Sequence, residues 1–206
     1  MVGRSYDVVM QKNRNAIDWE NIRALEINVQ PWSEYRCEIN TYAKIVRMEN
    51  ALAIYMQTDE VNPLARFKNM NDPVCNDSCM EFFLMPFAEC DNRYINFEIN
   101  PLGTMHIGIG ENRYNRKLLV VDDCHLYFHF ESMVESKGWT ILYQIPYEFI
   151  NECFHRDDFE QVKMVYANFY KCGDETKRPH YLCWNNIVSK KPDFHLSEFF
   201  GRLKFL

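Results

Sequence analysis

Apolar and polar residues alternate along several stretches of this chain. Side chains on a strand change face at every residue, so that alternation predicts half-buried β-strands. The clearest stretch is residues 92–100, where Ile95, Phe97 and Ile99 point one way and Tyr94, Asn96, Glu98 and Asn100 the other. Pro101, Leu102 and Gly103 then predict a turn into residues 104–109, which makes a hairpin. Residues 81–84 end an extended run just before it. Further strands are predicted over 42–47, 52–57, 125–130, 139–145, 162–170 and 201–206, between stretches rich in Asn, Asp, Gly and Pro. Helical signals are short: residues 16–22, and residues 147–153 just after Pro146, which suits a helix start.

Short strands with frequent turns argue against a parallel α/β sheet. The predicted class is an all-β, antiparallel β-sandwich of immunoglobulin or jelly-roll type with one or two short helices. No repeat, low-complexity tract or linker divides the sequence, so residues 1–206 are expected to form a single domain. The polar loop over residues 58–76 carries two prolines, and loops of that kind on a rigid sandwich often bring binding groups.

Composition narrows the partners. With 47% hydrophobic residues the chain can close its core without staples, so the eight cysteines are expected to be mostly reduced core thiols. Cys75 and Cys79 flank Asn-Asp-Ser at a spacing that fits no common zinc pattern, and no metal is expected. A net charge of -6 offers no basic field for phosphates, which excludes nucleic acid as a partner. No apolar run approaches the roughly 20 residues of a membrane span, so no membrane partner is expected. Residues 1–13 lack the pattern of a signal peptide, which makes the expected location cytoplasmic, or extracellular if an export signal has been removed.

Strong catalytic signatures are missing: there is no GxSxG, P-loop, HExxH or dinucleotide fingerprint. Gly108-Ile109-Gly110 is only GxG and reads as a strand end near a turn. His125 and His129, on the predicted strand, would sit about 13 Å apart at ~3.3 Å per residue, too far to share a metal. The carboxylates Asp77, Glu81 and Glu98 fall in or beside two successive strands that should pair. Such a set can be a solvated face, a hydrogen-bonding surface for a ligand, or an acid and base acting on a glycosidic bond.

The run from Asn76 to Leu84, followed by Tyr94 to Glu98, resembles carbohydrate-binding module family 9. Three later motifs agree in order: Asn168 to Asp174, Pro179 to Trp184, and Pro192 to His195 with Phe199 to Leu203. The likeness covers the chain from about Trp32 to Leu206. It implies a non-catalytic sandwich of the wider sugar- and haem-binding group, holding a mono- or oligosaccharide and linked to carbohydrate catabolism. The carbohydrate would be gripped between aromatic rings while amides and carboxylates hydrogen-bond its hydroxyls. Carried over, the family's site falls on Glu81, on Asn96 and Glu98, and near Asn168 or Tyr170. One stacking ring falls on Phe194; the other would fall on Val74 or Cys75, neither aromatic, leaving Trp184 as the substitute. Calcium is bound by some relatives, although no acidic loop here demands it.

Three rivals stand beside that reading. A haem or other cofactor site would need ligands such as Met105, His106 or His180 on one facing surface. A small sugar-acting enzyme would use Glu81 and Glu98. A domain whose sugar site has been lost would bind another protein instead.

Overall fold

The computed structural model describes residues 3–12, 14 and 17–206. The first half of the chain forms β1 (Ser5–Val8), β2 (Leu25–Glu26), β3 (Thr41–Arg47), β4 (Ala51–Thr58), β5 (Cys79–Met85), β6 (Tyr94–Ile99), β7 (Met105–Gly110) and β8 (Arg116–Leu118). After α1 (Cys124–Tyr127) come β9 (Glu131–Glu135), β10 (Gly138–Pro146), α2 (Tyr147–Phe154), β11 (Met164–Cys172), β12 (Tyr181–Cys183) and β13 (Gly201–Phe205). They build two sheets, one ordered β1-β13-β11-β5-β6-β7-β8 with β12 beside the end of β11, the other β2-β3-β4-β10-β9. The architecture is the predicted β-sandwich; its named strands pair antiparallel except that β1 runs parallel to β13, and a parallel bridge also joins Met10 to Arg47.

Packing follows the period-2 pattern. The inner face of the larger sheet presents Phe82, Phe97, Ile107 and Phe169 to Ile54, Ile141 and Tyr143 of the smaller one. Phe82 stacks on Phe169 with centroids 4.6 Å apart, and Phe97 meets Tyr143 at 5.9 Å. The outer face of the same strands is covered as well. There Phe83, Tyr94, Tyr170, Phe194, Phe200 and Trp32 form a second apolar cluster under the loops that follow β12. Every residue of β5 and β6 is therefore buried, so the face read as polar lies beneath a lid of chain.

Two predicted elements differ. Residues 125–130 form no strand: α1 takes their first half, capped by Asp123, whose carboxylate accepts from the Leu126 amide. The αL backbone of Asp123 (φ 45°) and His129 (φ 47°) reverses the chain at both ends of that turn, which an extended strand cannot accommodate. Residues 17–22 make a turn rather than a helix, and Ala16 lies outside the described residues. The helix after Pro146 forms as α2. Sequence patterning also passed over β1, β2, β8, β9 and β12, which are short or, in β9, exposed throughout.

The loop over residues 58–76 is fastened down rather than presented. Asp77, wholly buried, accepts from the Arg66 and Phe67 amides at 2.7 and 3.0 Å, from Arg66 Nε at 3.0 Å and from Asn100 Nδ2 at 3.1 Å. Glu60 turns inward to buried Lys171 at 3.0 Å and also accepts from Ser78 Oγ and Trp139 Nε1. Burial opposes ionisation of Glu60, but Lys171 and these donors outweigh it and leave its pKa lowered. Asp77 and Ser78 thus hold the loop, and of its residues Cys75 lines the site described next.

Candidate ligand cleft

On the outer face, strand register sets the floor of a cleft. Glu81 on β5 lies directly opposite Glu98 on β6, and Tyr170 on β11 lies opposite Glu81 on the other side. β12 pairs with the end of β11 and brings Tyr181 opposite Cys172. The walls are Arg113 from the β7–β8 loop, Cys75, Asp174, Tyr181, and the segment Pro192 to His195. The volume is about 120 Å³. Pockets enclosing drug-sized ligands run to roughly 300–1,000 Å³, so this cleft has room for no more than one end of such a molecule.

Its polar groups are held in place. Glu98 Oε1 accepts from Asn96 Nδ2 at 3.0 Å and lies 3.7 Å from Arg116 Nη2. The same Arg116 nitrogen donates to Asn96 Oδ1 at 2.5 Å, and Arg116 Nη1 donates to the His195 ring, 2.8 Å from Nε2. Tyr94 shares a 2.8 Å hydrogen bond with His195 Nδ1. Glycine permits this arrangement. Gly108 is the cross-strand partner of Asn96, and a Cβ there would come within 2.6 Å of Arg116 Nη2 and 2.9 Å of Asn96 Oδ1. The GxG of the sequence is the clearance over which Arg116 lies. Arg113 Nε pairs with Asp193 Oδ1 at 3.2 Å on the rim.

Burial governs the titrating groups. It pushes Glu81 well above the usual carboxylate range, with Glu98 alongside adding to the effect, which favours its neutral form. Burial also raises Asp174 to about 6 against opposing help from Tyr181 and Arg113. Burial and the neighbouring Arg116 and Arg113 push His195 down to about 2, which keeps the ring neutral. Within a small volume the cleft offers a carboxylic acid, a carboxylate on the point of titrating, a guanidinium and aromatic edges.

Of the residues expected at the site, Glu81, Glu98 and Phe194 line the cleft. Asn96 stands one step back, bridging Glu98 and Arg116. Tyr170 is wholly buried behind Phe194: the rings stack 4.1 Å apart and the Tyr170 hydroxyl donates to the Phe194 carbonyl at 3.1 Å. It supports Phe194 and does not reach the cleft; Phe194 itself is 7% exposed, with the Trp32 and Tyr181 rings also beside it at 6.0 and 6.1 Å. Asn168 is a correction. Its amide is consumed by the backbone, donating to the Asn185 carbonyl and accepting from the Asn185 and Phe169 amides. Trp184 is a second, for it packs edge-on to Phe169 at 6.3 Å in the sandwich core and fills the space a Cβ on Gly201 would need. Arg113 and Asp174 stand in connections and Tyr181 on the three-residue β12, none of which strand alternation marks.

The rival constellations come apart. Met105 lies in the sandwich core while His106, its neighbour on β7, faces out to the carbonyls of Asn71 and Asp72. His180 accepts from buried Lys171 at 2.8 Å, and burial lowers its pKa to about 4. These three share no surface for haem. Glu81 and Glu98 stand side by side on one floor, whereas glycosidase carboxyls flank a bond from two sides. All eight cysteines are free: Cys79, Cys172 and Cys183 are buried, Cys37, Cys75, Cys124 and Cys153 pack partly buried against the apolar clusters, and Cys90 is exposed. Among the described residues no helix is long and apolar enough to cross a membrane.

A family model described as carbohydrate-binding family 9 matches residues 11–205. Among solved structures, a candidate carbohydrate-binding protein from Bacteroides uniformis ATCC 8492 has a TM-score of 0.82 at 25% identity, covering 99% of this chain and 100% of that one. A family 9 module from Caldicellulosiruptor kristjanssonii in complex with cellotriose has a TM-score of 0.66 at 11% identity, over 98% of this chain and 93% of the module. The same organism's family 9 module in complex with glucose has a TM-score of 0.65 at 12% identity, over 98% and 96%. No curated protein matches the chain.

Proposed function

The chain belongs to carbohydrate-binding family 9, and from that premise we propose that the cleft over Glu81 and Glu98 holds the end of a carbohydrate without transforming it. One observation carries the reading: two carboxyl groups at directly opposed strand positions form the floor, with an aromatic wall and a guanidinium above them. A sugar presents hydroxyls that both donate and accept, together with apolar C–H faces. Glu81, whose burial favours the neutral form, donates to a hydroxyl oxygen when it carries its proton, Glu98 accepts from a hydroxyl, Arg113 donates, and Tyr181 and Phe194 cover C–H surface. The small volume suits a terminal sugar unit rather than the middle of a chain. Both floor carboxyls would touch the sugar from the same side, which suits binding rather than attack across a bond.

Isothermal titration against mono- and oligosaccharides, glucose and cellotriose among them, tests this. Binding at millimolar affinity or tighter is expected, weakened at least about tenfold, ~1.4 kcal/mol, by Glu98→Gln and by Tyr181→Ala. No heat with any sugar, or binding that both variants leave unchanged, would overturn it.

A further inference from the structure

We propose that Cys79, Glu81 and Cys172 form a binding site for a thiophilic divalent cation of the zinc class. The proposal uses another form of Glu81 than the carbohydrate reading: the ion displaces the protons of both thiols and of Glu81 into solvent, so ion and sugar compete for that carboxyl. β5 and β11 are adjacent, with Cys79 paired directly to Cys172 and Glu81 to Tyr170, so all three side chains fall on the outer face. Their donor atoms lie within 4.8 Å of one another. Around a tetrahedral ion at about 2.3 Å from sulfur and about 2.1 Å from oxygen the donors stand roughly 3.6–3.8 Å apart, so side-chain rotations that bring them in by about an ångström or less close the set. The Cys172 thiol already donates to Glu81 Oε1 at 3.0 Å, along the line an ion would occupy.

Two sulfurs with one oxygen select zinc-like ions over calcium or magnesium, which take oxygen alone. Three protein donors leave a fourth position. Glu81 and Cys172 both line the cleft, so that position faces the cleft, which also gives the ion its route in. The set is invisible to cysteine spacing, because Cys79 takes its partner from a distant strand and not from nearby Cys75.

Cadmium serves as the probe, since cadmium–thiolate bonds absorb in the ultraviolet. Titrating the reduced full chain with the metal alone should give a charge-transfer band that saturates at a single equivalent. The band should persist in a Cys37→Ser/Cys90→Ser variant and disappear in Cys79→Ser. A band that fails to saturate, or one that survives in Cys79→Ser, overturns the site. Should Cys79→Ser lose its fold by circular dichroism, cadmium NMR on the wild-type protein decides. A shift in the mixed sulfur and oxygen range supports the assignment, and an all-oxygen or all-sulfur shift refutes it.

Discussion

The two faces of β5 and β6 are equally buried yet built for different ends. Inward, Phe82, Phe97 and Ile95 interlock with the second sheet, where each atom removed costs packing. Outward, Glu81, Asn96 and Glu98 are packed almost as tightly, but against one another, Arg116 and His195. The inner face stabilises by removing apolar surface from water. The outer face must satisfy each polar atom it buries, and what it gains is an ordered set of donors and acceptors at the mouth of a cleft. Stability should therefore be concentrated inward and recognition outward.

Substitutions that separate the two faces put this to work. The largest effect belongs inside: Phe97→Ala should cost about 3–5 kcal/mol in denaturant unfolding. It should leave sugar affinity unchanged wherever the variant remains folded. A loss below about 1 kcal/mol would show the core repacking freely.

A smaller effect is expected from pH on the outer face. His195 is held at about 2 when folded and returns to about 6.5 when unfolded, so the unfolded chain takes up the proton first as pH falls. A group whose folded pKa is depressed in this way loses its contribution below pH 6.5. By pH 5 that amounts to about 2 kcal/mol, from 1.5 pH units at ~1.36 kcal/mol each. His195→Gln should lack this slope when stability is measured at pH 7 and pH 5, and an equal slope in both proteins would count against a buried neutral ring. Asp174, raised to about 6, works in the opposite direction in both proteins and drops out of the difference.

The smallest change in stability should come from Gly108→Ala. Its Cβ meets only the end of Arg116 and the Asn96 oxygen, so unfolding should shift by about 1 kcal/mol or less. Arg116 would move off Asn96 and Glu98, and sugar affinity should fall several-fold. Unchanged affinity would mean that the brace is not needed for binding.

How much of this was legible in the sequence depends on which residues carry the signal. Alternation over residues 92–100 gave the inner and outer sets of β6 correctly, because a strand's side chains must alternate. The same rule could not tell that the outer set is roofed, since the roof comes from the segment after β12, far along the chain. The family resemblance put Glu81, Glu98 and Phe194 together, and they do line one cleft. It also pointed to Asn168 and Trp184, whose types suit sugar contact but whose hydrogen bonds and packing serve the core. Arg113 and Asp174 in connections, and Tyr181 on a strand of three residues, give no periodic signal. Residues 125–130 misled because apolar alternation also fits a short turn of helix reversed by αL residues at both ends.

The central claim is that the outer-face cleft is the carbohydrate site, and a crystal structure of the protein soaked with the best ligand from the titration addresses it directly. The account predicts density for a terminal sugar unit between Glu81, Glu98, Arg113 and Tyr181. Density elsewhere, such as in the larger groove of about 370 Å³ beside Phe87 and Arg156, with the cleft empty, would contradict it.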